Sequence, residues 1–170
     1  MNETSLQLLK QHFQEATQEL LENYNVEMDS SSPNSGSIEL VATLGFGSDR
    51  VAGAIALCTS ARCADYLVKP IAGRNGHDWL GELANQLLGR FKRRCARHGI
   101  TFAMGVPVLF RGERISMAHN LDMNRSIRLA FQTPGGNLEA WLDFKTSANV
   151  EFLCGPIQND APSEGEILLF

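Results

Sequence analysis

The chain has 170 residues, a formal net charge of −4, 44% hydrophobic and 20% charged residues. That length supports one domain with a real core and no need of disulfide staples. The mild negative charge argues against nonspecific nucleic-acid binding through a global positive field, and no apolar run approaches the ~20 residues that span a bilayer.

The chain opens on helical spacing: Leu6, Leu9, Phe13, Ala16, Leu20 and Leu21 mark one face of a helix over residues 4–24. This beginning is no signal peptide, so cytoplasmic residence is expected. A Ser/Pro/Gly stretch over 29–36 reads as a loop. "SIELVATLGF" and "RVAGAIALCT" form a hairpin around Gly47, Ser48 and Asp49. "SARCADYLVKPIAG" follows as a short helix, capped by Ser60 and ended by Pro70 and Gly73. A long helix covers 78–97, with Asp78 as N-cap and Gly99 closing it.

"ITFAMGVPVLF" is strand-like, and Pro107 places part of it on an edge or at a bulge. Ile127, Leu129 and Phe131 alternate before the turn "TPGGN", and Leu138, Ala140, Leu142 and Phe144 alternate after it, which marks a second hairpin. The closing "EILLF" reads as a short strand or a packed apolar terminus. The expected fold class is α+β (mixed α/β), a single domain over 1–170 with an antiparallel-rich sheet covered by long helices. Within it fall the helix of 1–25, the loop of 29–36, an αβ core over 37–152 and a tail over 153–170.

The long helix carries the informative residues. At roughly 100° per residue, Trp79, Leu80, Leu83, Ala84, Leu87, Leu88 and Phe91 share the core face. Asp78, Glu82, Asn85 and Gly89 share an opposite arc of roughly 60°. The two acids have a structural account at the positive end of the helix dipole. Asn85 and Gly89 do not: Asn costs about half a kcal/mol against Ala in a helix interior and Gly about 1 kcal/mol. A Gly four residues after the Asn flattens the surface for close approach. The carboxamide is uncharged, donates and accepts, and suits the orientation of a water for in-line attack. Such positioning supplies most of the catalysis in phosphoryl transfer. Glu82 suits a cationic group of a partner. No nucleophile, metal cage or phosphate loop accompanies them, so a partner must bring the rest.

"DWLGELANQLLG" resembles the acid-or-Ser-x-x-x-Glu-x-x-Asn signature, with a Gly four residues further on, of the CheX/CheC/FliY family of chemotaxis phosphatases. "GRFKRRCARHGITFAMGVPVLFRG" and the hairpin ending "EAWLDFKT" are similar to later segments of that family, so the resemblance covers about residues 35–147. It implies dephosphorylation of the aspartyl phosphate of a CheY-like response-regulator receiver. Asn85 would orient the attacking water, Glu82 would pair with the receiver's lysine, and Asp78 holds the first motif position. Mg²⁺ would sit in the receiver, and this chain would bind no cofactor. A second Glu-x-x-Asn, at Glu22 and Asn25, has Gln18 in place of the acid and lacks the Gly, so one site is counted. That favours a CheX-like member and, by the same resemblance, a homodimer joined through its sheets. The alternative is a non-catalytic receiver-binding or flagellar adaptor of the same fold.

The remaining features carry less. The basic run Arg90, Lys92, Arg93, Arg94 and Arg97 reads as a solvated helix end near the negative pole. Arg90 and Arg93 are also assigned to the rim of the docking face, where they would steer an acidic receiver pocket. "GFGSDR" and "PGGN" lie in hairpin turns, not before helices, which argues against phosphate cradles. Asp78 with Glu82 as a hydrolase acid/base pair lacks burial to raise one pKa. Ser5, Ser48 and Ser116 lack a nucleophile elbow. Cys58, Cys63, Cys95 and Cys154 show no CxxC spacing, and His12, His77, His98 and His119 show no i, i+4 pairing, so reduced buried thiols and no metal are expected.

Overall fold

Alternating apolar residues dictate two antiparallel hairpins that share one sheet. A computed structural model of the chain describes residues 3–24, 26, 36–68, 75–117 and 125–146. The first hairpin is β1 (Leu40–Gly47) with β2 (Val51–Thr59), in the register Leu40 to Thr59 through Gly47 to Ala52. Pro107 breaks the next strand into β3 (Ala103–Met104) and β4 (Val108–Arg111), as the edge-or-bulge expectation holds. Both pieces pair with the free side of β1, and the Gly105 N–H bridges the gap by donating to the Gly45 carbonyl at 2.8 Å. The second hairpin joins β5 (Ser126–Thr133) to β6 (Gly136–Thr146) around Pro134 and Gly135, a tighter turn than the five residues of "TPGGN". β6 pairs along β2, which gives the order β3-β1-β2-β6-β5 with β4 beside β1.

Three helices lie among the described residues: α1 (Glu3–Asn23), α2 (Ala61–Val68) and α3 (Gly76–Ala96). The Ser60 hydroxyl accepts the Cys63 N–H at 3.2 Å, so the expected cap of α2 is observed. Period-2 alternation sends Leu44, Ile55 and Leu142 to one sheet face, each about 1% exposed. They pack with Phe13 and Leu20 of α1 and Leu83, Leu87 and Phe91 of α3 in the main core. The other face carries a smaller cluster of Val41, Ala56, Cys58 and Trp141. The core face read from the spacing of α3 is thus the buried one. Cys58, Cys63 and Cys95 are buried and free, and burial pushes the Cys58 thiol up to about 12. Cys154, His119, Asn25, Pro70, Gly73, residues 29–35 of the expected loop and "EILLF" lie outside the described residues.

α1 crosses α3 at two kinds of contact. Phe13 meets Phe91 edge-on at 5.8 Å. Beside this, Arg90 bonds Glu19 at 2.6 Å, and Arg94 bonds Glu15 at 2.5 Å and Glu19 at 3.0 Å. The carboxyl of Glu19 is raised by its own burial, but the Arg94 hydrogen bond with the Arg90 and Arg93 charges brings it below its ordinary value. His12 lies in the same seam, 8% exposed, with its ring 4.9 Å from that of His98 and no hydrogen bond to either ring nitrogen among the described residues.

Burial, then His98 and Arg94, hold His12 below its ordinary 6.5, against an opposing pull from Glu15. The folded chain therefore binds fewer protons than the unfolded one between that lowered value and 6.5. Stability is full above this window and falls as the pH drops through it. Thermal unfolding followed from about pH 7 to about pH 5 is expected to show a falling Tm that is flattened by His12→Leu. Equal slopes for both proteins refute this origin.

Candidate functional site

The site is built on α3, and its first turn sets the direction. The cap is Asn75, not Asp78: Asn75 has extended backbone (φ −98, ψ 154), and its side-chain oxygen accepts the Asp78 N–H at 2.8 Å. Its Nδ2 donates in return to Asp78 Oδ2 at 2.8 Å. The helix thus begins at Gly76 rather than Asp78, and Asp78 supports the cap from the third helical position. Gly76 fixes this start. A Cβ there would lie 2.6 Å from the Ala64 carbonyl carbon, so only glycine lets α3 begin against the backbone of α2. At the far end Gly99 adopts φ 72, while Ile100 N–H returns to the Cys95 carbonyl at 3.2 Å. This is the glycine closure expected from the sequence.

Between those ends the polar stripe is as the helix phase places it. Asp78 and Asn85 are exposed, and Glu82 and Gly89 are half-buried. The Asn85 carboxamide has no hydrogen-bond partner among the described residues, so both its donor and its acceptor are available. A Cβ built at Gly89 would meet nothing within 4 Å. The fold itself therefore gives no reason for glycine at that position.

Two rim residues fare differently. Arg90 is 8% exposed and bonded to Glu19, so its assignment to the docking rim is corrected. One position beyond Gly89 turns the side chain about 100° from the stripe, toward α1. The solvated-end reading fails for Arg94 as well, since it pairs with Glu15 and Glu19. Arg93, one turn beyond Gly89, stays half-buried at the end of the stripe and lies within electrostatic reach of Glu19.

Sequence reading missed two residues that touch the site. Gln86 Nε2 donates to Glu82 Oε1 at 3.1 Å, and Gln86 Oε1 accepts from the Tyr24 hydroxyl at 2.9 Å. The i, i+4 spacing of Glu82 and Gln86 was the available signal for the first bond. No sequence signal joins Tyr24 to Gln86 across 62 positions.

No protein-family model and no curated protein matches the sequence. Solved structures do match. The chemotaxis protein CheX from Vibrio vulnificus is 19% identical with a TM-score of 0.70, over 81% of this chain and 96% of that one. A CheC-like superfamily protein from Shewanella sp. PV-4 is 18% identical with a TM-score of 0.69, over 85% and 99%. The CheX of a CheX-CheY-BeF₃-Mg²⁺ complex from Borrelia burgdorferi is 18% identical with a TM-score of 0.63, over 79% and 96%. The chain therefore has the CheX/CheC-like fold, a single domain of mixed helix and antiparallel sheet.

Proposed function

We propose that this chain is a CheX-like phosphatase that hydrolyses the aspartyl phosphate of a CheY-like receiver domain. The observation that carries the reading is the stripe itself: Glu82, Asn85 and Gly89 share one accessible side of α3, with open space over Gly89. The structural likeness to a CheX determined with CheY supports the class of partner. Asn85 enters the receiver site and holds a water through its carboxamide. The water's oxygen attacks phosphorus in line, the bond from phosphorus to the aspartyl oxygen breaks, and inorganic phosphate leaves. Glu82 pairs with the receiver's lysine. Asp78 flanks the face from the capped end and Arg93 from the other.

Mg²⁺ belongs to the receiver in this reading. Among the described residues of this chain, no three His, Cys, Asp or Glu side chains group as metal ligands. A cytoplasmic location belongs to the same proposal; no described helix is long and apolar enough to cross a membrane. A homodimer belongs to the same proposal, through the edge strand β4, where Val108 and Phe110 are 48% and 52% exposed.

The test follows loss of phosphate from purified receivers with and without the wild-type chain. Acceleration of at least one receiver is expected. Glu82→Ala should weaken binding and rate together, by about tenfold for a lost interfacial charge pair. Binding to a receiver without any acceleration replaces the phosphatase by the adaptor.

A further inference from the structure

We infer that Tyr24 and Gln86 are positioning residues that hold the Glu82 carboxylate in its docking geometry. This rests on the proposed role of Glu82 and adds to it a second helix, α1. A carboxylate can only accept hydrogen bonds, so Gln86 must turn its amide nitrogen toward Glu82. Its oxygen is then directed at Tyr24, and the Tyr24 hydroxyl must donate. The observed bonds run this way: Tyr24 Oη to Gln86 Oε1 at 2.9 Å, then Gln86 Nε2 to Glu82 Oε1 at 3.1 Å. One carboxylate oxygen is fixed by the relay. The other, Oε2, makes no hydrogen bond among the described residues and is left for the partner's cation.

The source of the relay is itself held still. Tyr24 directly follows α1, its N–H donating back to the Leu21 carbonyl at 3.1 Å. Its ring stands edge-on to Trp79 at 5.1 Å and 83°, and Trp79 is 5% exposed in the core. A lone Glu on an exposed helix loses rotamer freedom when a partner captures it. Here that ordering is largely complete before docking. The seam between α1 and α3 therefore sets how well the stripe binds, although α1 contributes no residue to the stripe.

Tyr24→Phe deletes the hydroxyl and keeps the ring on Trp79, so the fold is expected to survive with little change in Tm. Affinity for a beryllofluoride-activated receiver should fall roughly threefold to tenfold, the worth of one neutral hydrogen bond. In a Glu82→Ala background the same change should alter affinity less than about twofold, because nothing remains to be positioned. Equal losses in both backgrounds, or no loss in either, overturn the inference and leave a mere pin between helices. A second measurement needs no partner: the two side-chain amide protons of Gln86, resolved by NMR. Both Tyr24→Phe and Glu82→Ala should move these resonances, and resonances indifferent to either change overturn the relay. If the wild type binds no receiver, the receiver reading falls, while the amide resonances still decide for or against the relay.

Discussion

Asn85→Ala is expected to abolish acceleration of receiver dephosphorylation and leave docking almost intact. The carboxamide is exposed and has no bond to the described residues, so its removal disturbs no internal contact. Alanine is also the better helix former, and stability should rise by about half a kcal/mol. Any loss of activity is then a loss of chemistry. An uncharged group that orients water acts on the transition state and adds little to ground-state affinity. The expected signature is a fall of about a hundredfold or more in the maximal rate, with the affinity for a beryllofluoride-activated receiver within about threefold of wild type. Asn85→Asp tests the same point through charge. It keeps the size and the acceptor but sets a negative group against a phosphoryl group, so it should bind more weakly than Asn85→Ala. If Asn85→Ala retains more than half of the wild-type acceleration, the water-orienting role is wrong.

The helix phase made the stripe legible, because the apolar residues of α3 are spaced so regularly that the remaining side is fixed by subtraction. Trp79, Leu83, Leu87 and Phe91 are all buried, and Asp78 and Asn85 are both exposed. What the sequence hid depends on contacts between distant parts of the chain. Asn75 and Asp78 are both good caps, and the choice between them was made by Gly76 packing on the backbone of α2. Arg90 looked like a cation at a solvated helix end, but its partner Glu19 is 71 positions away, where no periodicity reaches. The same holds for Tyr24 and Gln86. Local pattern found the groups that face a partner, and long-range pairing decided how they are held. Pro107 was legible for the opposite reason: a missing N–H has its effect where it stands, so the break between β3 and β4 followed from the residue alone.

Gly89 offers the sharpest separation of fold from function, because its two expected effects have opposite signs. A glycine inside a helix is kept for a reason: a close neighbour, an unusual backbone angle, or something outside the chain. Its backbone is helical, and an added Cβ meets nothing within 4 Å, so the first two reasons are absent. Gly89→Ala should therefore stabilise the chain by about 1 kcal/mol, which raises Tm by several degrees in a domain of this size. Gly89→Gln should gain most of that increment and also place a long side chain one turn from Asn85, within the face a receiver must approach. Affinity for the activated receiver is then expected to fall by about tenfold or more, with Gly89→Ala between this variant and the wild type. A stabilised protein that binds worse cannot be explained by misfolding, since the loss and the gain run in opposite directions. If Gly89→Gln is stabilised and docks as well as the wild type, the receiver does not approach over this stripe. The propensity cost of Gly89 would then lack a function.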